Sequence, residues 1–160
     1  MVTASDRIFN LLTSNDELIG SLDWMSDDAW SRHPSADEWS VAEIIGHVIE
    51  LEVYWAQQAA RLAETPGCEL GRSLEDPGRL AGPKSGLDLS AREARLRLAQ
   101  AGEQAAGILR KIPDAAWSTK GKAGSGETTV GEIVRQRLVE HVRVHLEQAT
   151  AALAAVPSND

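Results

Sequence analysis

The sequence predicts an all-α protein, a four-helix bundle that forms a single domain over residues 1–160. Three observations lead to this prediction: a helix-favouring composition, apolar residues at helical spacing, and three helix start signals of one type. Alanine, leucine, arginine and glutamate are abundant, whereas one phenylalanine and one tyrosine leave little material for strands. A chain of 160 residues is long enough to bury a core as one domain.

Four segments carry apolar residues at intervals of three and four, the spacing of an amphipathic helix. The first is an interrupted stripe that begins at Ile8, and the third ends before Pro113, which cannot continue a helix. The third stripe includes Leu96 and Ala99, which are therefore expected to face the core. The predicted helices span about 5–22, 40–64, 90–111 and 129–154.

The last three helices share one start signal. Each begins at a serine or threonine that is followed three residues later by a glutamate, so that each side chain can bind a free backbone N–H of the first turn. This spacing fixes the number of helices more firmly than periodicity does. The pairs are Ser40 and Glu43, Ser90 and Glu93, and Thr129 and Glu132.

Two short motifs each occur twice in the chain, once in each half. Residues 27–31 (D-D-A-W-S) return as residues 114–118 (D-A-A-W-S), and residues 40–45 (S-V-A-E-I-I) return as residues 129–134 (T-V-G-E-I-V). Each half then consists of a helix, a turn with a tryptophan and a second capped helix. Two unrelated helix pairs that share start signals would give the same pattern, and either origin produces a four-helix bundle.

Residues 65–89, between the second and third helices, have a different composition. Three prolines and five glycines fall in this segment, so we expect an irregular loop. A loop of this length can cross the bundle and let the second and third helices run in the same direction. The predicted topology is therefore up-down-down-up.

Composition excludes several classes of function. The net charge is −8 and no basic patch is visible, which argues against a nucleic-acid surface. No apolar run approaches the roughly 18 residues of a membrane span, and no signal-peptide pattern opens the sequence. The only cysteine, Cys68, excludes an internal disulfide, so a cytoplasmic location is expected.

Three of the four histidines occupy two predicted helices. His141 and His145 are separated by one helical turn, which places both rings on one face of the fourth helix. His47 belongs to the second helix, and an antiparallel arrangement of these helices brings all three rings to one level. Three imidazoles with an open fourth position are typical of a reactive metal centre. The alternative is that each histidine is an ordinary core or surface residue.

The order and spacing of the motifs resemble the DinB/YfiT-like superfamily. The motifs are W-S-V-A-E-I-I-G-H over residues 39–47, T-V-G-E-I-V over residues 129–134 and E-H-V-R-V-H over residues 140–145. The resemblance implies an up-down-down-up bundle, often a homodimer, with a divalent metal held by His47, His141 and His145. Members include bacillithiol S-transferases and a mycothiol-dependent maleylpyruvate isomerase. That isomerase is similar but has a glutamate at the position of His141, so its reaction is not expected here.

The expected function is metal-dependent, thiol S-transferase-type chemistry on a small electrophile. Zinc and nickel are the expected metals, although imidazole ligands also suit copper and iron. A low-molecular-weight thiol is the expected second substrate. The alternatives are a metal-dependent hydrolase, a metal-binding stress or sensor bundle without turnover, and a helical dimerisation module with incidental histidines.

Five charged residues near the histidines are candidates for supporting roles. Glu52, Glu140 and Glu147 are candidates for a general base or for a carboxylate that orients a ligand, and Arg137 and Arg143 for binding an anionic group of a thiol. Each of the five can also be an ordinary solvated charge on a helix surface.

Overall fold

Four long helices form the bundle in the computed structural model, which describes residues 2–23 and 25–155. The bundle is all-α with the predicted up-down-down-up topology. Residues 1, 24 and 156–160 of the predicted domain lie outside the described ranges. In chain order the helices are α1 (Ala4–Ser21), α2 (Asp27–Ser31), α3 (Val41–Glu64), α4 (Pro77–Leu87), α5 (Ala91–Leu109), α6 (Val130–Ile133) and α7 (His141–Ala155).

All three predicted capping boxes are present, at the starts of α3, α5 and α6. At the start of α3, the Glu43 backbone N–H donates to Ser40 Oγ at 3.3 Å, and the Ser40 N–H donates to Glu43 Oε2 at 2.9 Å. A fourth box, formed by Thr3 and Asp6, opens α1. These local bonds satisfy backbone donors that the helix itself leaves free, and they explain why the four predicted starts lie within a residue of the observed ones.

The fourth bundle helix is continuous over residues 130–155 but changes character in the middle. Residues Val134–Glu140 form a π-helix between α6 and α7. A π-helix holds more residues per turn than an α-helix, so it alters the face on which all later side chains project. Its last residue directly precedes His141, and the orientation of both histidines of this helix therefore depends on it.

The prediction of an irregular loop over 65–89 is wrong in part. This crossover contains a two-residue strand, β1 (Glu69–Leu70), and the eleven-residue helix α4. Asp76 caps α4 by accepting from the Arg79 backbone N–H at 3.0 Å, and Pro77 occupies its first position, where a missing N–H costs nothing. Gly82 and Gly86 of α4 are buried where it packs against α3. Proline and glycine favour a loop by composition, but in this segment Pro77 starts a helix, and Gly82 and Gly86 allow that helix to pack closely against α3.

The expectation that strands are essentially absent also needs correction. Between α5 and α6, a 3₁₀ turn (Asp114–Ser118) leads into strands β2 (Lys120–Ala123) and β3 (Gly126–Thr129). β2 pairs with β3 in an antiparallel hairpin and with β1 in parallel, giving the order β1-β2-β3. Gly124 has φ +62° in the hairpin turn, a conformation that favours glycine. Strands of two and four residues are too short to produce a periodic signal.

The core lies between the four long helices, and α3 contributes the largest share. Of the residues predicted to face the core from α5, Leu98 is fully buried, but Leu96 is 60% exposed and Ala99 is also exposed. The pattern there overestimates the width of the apolar face. Within the described residues, no helix combines the length and the apolar character that a membrane crossing requires. The largest fully buried side chains are Leu11, Leu18, Leu22, Ile44, Ile45, Leu51, Leu62, Leu98, Leu109, Ile133, Leu138 and Glu52.

Candidate metal centre

The three histidines of the predicted site come together at one place in the fold, and we call them the histidine cluster (His47, His141 and His145). One ring nitrogen from each lies within 4.8 Å of those of the other two. The ring centroids of His141 and His145 are 4.7 Å apart, and that of His47 is 4.8 Å from His145 and 5.9 Å from His141. In the described part of the chain, no carboxylate or cysteine joins the group.

Two helices position these rings. His47 lies in the second turn of α3, after the buried residues Ile44 and Ile45, so its ring is held by the core beneath it. His141 is the first residue of α7 after the π-helix, and His145 lies one turn further on. His47 and His145 are buried and His141 is half-buried, so the cluster is accessible from one side.

Two buried ring nitrogens have no hydrogen-bond partner among the described residues, His47 Nδ1 and His145 Nε2. The other nitrogen of His145 is 2.8 Å from Gln148 Oε1. An amide oxygen can only accept, so His145 Nδ1 carries the proton and Nε2 keeps a free lone pair. Burial of an unpaired imidazole nitrogen costs free energy unless a cation binds it. A metal-binding histidine also usually donates its other ring N–H to a neighbouring residue, as His145 does to Gln148. The donor set therefore fits a divalent metal ion.

The same surroundings keep the imidazoles neutral. Burial, reinforced by the other two histidines, lowers the pKa of His47 to about 3. Burial and the neighbouring His145 lower the pKa of His141 to about 4, and burial lowers the pKa of His145. Only a neutral imidazole can bind a metal, so at neutral pH protons do not compete for this cluster.

A cavity of about 960 Å³ opens onto the cluster, and we call it the histidine cavity. Its walls come from α3, α4, the π-helix, α7, the loop before α3, β1 with the residues after it, and the β2–β3 hairpin. Two tryptophans, Trp39 and Trp55, line it, and the Trp39 ring lies 5.2 Å from that of His47. The lining residues are Asp37, Glu38, Trp39, His47, Leu51, Trp55, Glu69, Leu70, Gly71, Arg72, Arg79, Lys122, Ala123, Gly124, Arg137, His141, His145 and Gln148.

One arginine of the wall is part of the scaffold. Arg72 donates to both carboxylate oxygens of Glu50, at 2.6 and 2.5 Å, and to Asp76 at 3.2 Å. Its guanidinium also lies 3.9 Å from the centre of the Tyr54 ring. These contacts, together with the close approach of Gly82 to α3, fix the crossover against the bundle. The bidentate pair is of the strong, oriented type, so Arg72 is structurally occupied.

The five charged candidates from the sequence fall in different places. Glu52 is fully buried, accepts from Asn15 Nδ2 at 3.0 Å and does not line the histidine cavity. It lies five residues after His47, which on a helix points it to another side. Glu140 pairs with Arg135 and is exposed, and neither it nor Glu147 lines the cavity.

Of the two candidate arginines, only Arg137 lines the cavity, where its guanidinium lies 5.2 Å from the centre of the Trp55 ring. Arg143 is exposed on α7, outside the cavity.

Several wall residues were not predicted. Arg72 and Arg79 reach the site from the crossover, and Lys122 from the hairpin. The sequence predicts an irregular loop for the crossover and no strands before the last helix, so the side chains of both segments could not be placed relative to the helices. No pattern in the sequence marks these residues, because arginine is about as frequent in the crossover as in the rest of the chain.

Comparison with known proteins gives a family match and a fold match. A family model described as the DinB superfamily matches residues 11–149. No curated protein matches the chain at a significant level.

Two solved structures share the fold. The first, YfiT from Bacillus subtilis, is described as a probable metal-dependent hydrolase with an unusual four-helix bundle topology. It superposes with a TM-score of 0.74 at 14% identity, covering 93% of this chain and 85% of that one. The second, a mycothiol-dependent maleylpyruvate isomerase, gives a TM-score of 0.70 at 15% identity over 93% of this chain. The chain spans 63% of the length of that isomerase.

Proposed function

The chain belongs to the DinB superfamily, and from that premise we propose that it is a metal-dependent enzyme that joins a small thiol to an electrophile. One observation carries the proposal: three imidazoles converge at the side of a cavity of about 960 Å³, two of them with unpaired buried nitrogens, and no fourth side chain of the described residues completes the set. A divalent ion held by His47, His141 and His145 would keep an open position towards that cavity. Zinc and nickel are the ions we propose.

A metal ion bound there supplies a positive charge that lowers the pKa of a coordinated thiol. The chain's own residues do the rest. Gln148 orients His145, and the walls of Trp39 and Trp55 provide an apolar surface for the substrate and keep water from it. In the overall reaction the S–H bond of the thiol and the bond from the electrophilic carbon to its leaving group break, and a sulfur–carbon bond forms. The leaving group, a halide in an aryl halide, departs with its bonding electron pair, and the proton goes to solvent. Since Glu52, Glu140 and Glu147 lie outside the cavity, we propose none of them as a base.

Two further functions use the same cluster. Hydrolysis is favoured by the likeness to YfiT, because an open metal position also activates water. A bundle that binds metal without turnover would need the cluster but not the large cavity beside it, and for this reason we place it third.

The homodimer and a cytoplasmic location stay predictions. Light scattering of the purified protein measures whether it forms a homodimer.

The test begins with metal content, measured by elemental analysis and native mass spectrometry on protein without a histidine tag. We expect one ion per chain, lost in both His47→Ala and His145→Ala. His33→Ala is the matched control, because His33 lies in the loop before α3, outside the cluster, and should leave the metal in place.

The second step measures thiol consumption with a model aryl halide before and after chelation. We expect the metal-free protein to lose at least about tenfold in rate, since the thiolate then forms only at the thiol's ordinary pKa. Equal rates with and without metal would end the transferase proposal. Ester hydrolysis that needs metal but no thiol would favour the hydrolase instead.

A further inference from the structure

We infer that Arg79 and Arg137 form an anion-binding subsite beside the histidine cluster, and that the small molecule bound in the histidine cavity carries a carboxylate. The inference rests on the proposed function for the role of that molecule, as thiol or as electrophile. The subsite itself is argued from the two guanidinium groups, their partners and their position.

Both guanidinium groups are available. Among the described residues, no carboxylate forms an ion pair with either of them. Arg72, on the same wall, shows the contrast, because Glu50 and Asp76 already occupy its donors. Unpaired arginines are common on protein surfaces, but these two line one concave cavity that also holds three histidines. Two sets of unused donors that face one cavity are therefore suited to a ligand.

The Arg137 guanidinium and the backbone that carries Arg79 are also held in place. Arg137 lies over the Trp55 ring at 5.2 Å, within the range of a cation–π contact. Arg79 belongs to the first turn of α4, whose position is set by the close packing of Gly82 and Gly86 against α3. Donors that are fixed before binding lose little freedom when a ligand arrives, which favours affinity.

The subsite lies close to the histidines. Arg79, Arg137 and all three histidines line the same cavity, and Arg137 lies four residues before His141 on the same bundle helix. A small molecule in this cavity can therefore approach the cluster with one end and the two arginines with the other.

The wall chemistry favours a carboxylate over a more highly charged group. A planar carboxylate matches the fork of a guanidinium with two parallel hydrogen bonds. Three acidic residues, Asp37, Glu38 and Glu69, also line the cavity and would repel a dianion more strongly than a monoanion. The carboxylate can belong to the thiol or to the electrophile, and the experiment below separates the two.

The test compares matched pairs of ligands that differ only in charge, by NMR titration of the full-length, isotope-labelled protein with and without zinc. The thiol pair is mercaptoacetate and mercaptoacetamide, and the electrophile pair is 4-chloro-3-nitrobenzoate and its amide. We expect one pair to show roughly tenfold or greater preference for the carboxylate, the usual effect of a charged hydrogen bond. The pair that shows it identifies which substrate carries the anion.

Three variants assign the preference to the subsite. Arg79→Gln and Arg137→Gln should each reduce the preference, and the double variant should remove it, while binding of the neutral amides is unchanged. Arg143→Gln is the control, because Arg143 is exposed on the same bundle helix as Arg137 but lies outside the cavity. It should keep the full preference.

Two results would overturn the inference: no preference in either pair, or a preference that the double variant retains. Both can occur in protein that takes up zinc and consumes thiol, so they leave the proposed function intact. Conversely, a protein that takes up no zinc but still prefers the carboxylates through Arg79 and Arg137 would refute the proposed function and support the subsite.

Discussion

At the scale of single residues, the histidine cluster combines burial with free lone pairs. Its imidazoles lie at the edge of the core, where each would normally need its own hydrogen-bond partner, yet within the described ranges only His145 has one, in Gln148. The energetic cost of this arrangement is of the order of 1–3 kcal/mol for each unsatisfied nitrogen. A bound metal ion removes that cost, which makes the cluster understandable as a preformed ligand set.

Gln148→Leu should weaken metal binding without abolishing it. The side chain fixes the proton on Nδ1 of His145 and so leaves Nε2 as the metal-binding atom, and loss of such a partner typically costs 10–100-fold in affinity, so we expect roughly that factor. Competition with a chromophoric chelator measures it. Gln104→Leu, a change at an exposed position of α5, is the control. An unchanged affinity in Gln148→Leu would mean that His145 is not oriented by this bond.

Glu52 is a second buried polar group, and its effect is on stability. Burial raises its pKa to about 8, partly offset by the hydrogen bond from Asn15. Between the ordinary pKa of 4.5 and the raised pKa of about 8, the folded protein holds a proton that the unfolded chain has released. The stability of the fold therefore falls as pH rises from the lower of these values to the higher. The cluster histidines make the same small contribution in the wild type and in a Glu52 variant, because in the unfolded chain their ordinary pKa of about 6.5 leaves them mostly neutral above about pH 7.

Glu52→Gln should accordingly remove a pH dependence. Between about pH 7 and about pH 8.5 we expect the wild-type protein to lose about 1 kcal/mol of stability relative to this variant. Urea unfolding at the two pH values measures the difference. Glu64→Gln, an exposed change in the same helix, should follow the wild type. Parallel profiles for the wild type and Glu52→Gln would show that Glu52 is already ionised in the folded state.

At the scale of secondary structure, the backbones of α3 and α4 approach each other too closely to admit a side chain between them. A Cβ placed on Gly86 would collide with the carbonyl oxygen of Ala42, and one on Gly46 would come within 2.6 Å of the Gly86 backbone nitrogen. No flexible side chain is available to move aside, because the opposing atoms belong to the backbone. The position of α4, and with it Arg79, therefore depends on the absence of side chains here.

Gly86→Ala should destabilise the protein by about 1–3 kcal/mol, the usual cost of overpacking. Gly107→Ala in α5 is a control of opposite sign: nothing lies within 4 Å of its added Cβ, so alanine should stabilise that helix by roughly 0.5–1 kcal/mol. Denaturant unfolding of both variants gives the comparison. Equal stability of Gly86→Ala and the wild type would show that α4 can shift without cost.

Local sequence signals predicted the elements that local bonds determine. The capping boxes at Ser40, Ser90 and Thr129 gave three helix starts, because a cap depends on residues three apart in the chain. Helix α4 escaped prediction, since its glycines are explained only by the backbone of α3. The hairpin was not predicted because strands of four residues are too short to show periodicity. The π-helix was not predicted because its extra residue per turn does not alter the composition of the segment.

At the scale of the whole molecule, the charge of the histidine cavity differs from that of the chain as a whole. The chain has a net charge of −8, yet four cationic side chains line its histidine cavity. The histidines could be grouped from the sequence because helix direction fixes their level. Of the cations, Arg137 was a candidate because it shares a helix with two histidines, but Arg72, Arg79 and Lys122 could not be placed, because they come from connections whose path depends on long-range packing.

Metal binding should stabilise the whole fold, because the cluster links α3 to α7. An ion present at about one hundred times its dissociation constant contributes about 2.7 kcal/mol. For a chain of this size that corresponds to a rise in Tm of roughly 5–10 °C, which calorimetry or circular dichroism would measure. His33→Ala should show the same rise and His47→Ala none. A similar rise in both variants would indicate that the ion binds elsewhere.

The parallel pairing of β1 with β2 joins the two longest connections of the chain, the crossover after α3 and the hairpin before α6. Both contribute residues to the wall of the histidine cavity, whereas the histidines themselves lie on α3 and α7. Arg79 and Lys122 are thus encoded in different stretches of the gene from the histidines, although Arg137 shares a bundle helix with His141 and His145. Exchange of the two connections as a joined pair offers a route to new ligand preference that leaves the histidine-bearing helices unaltered.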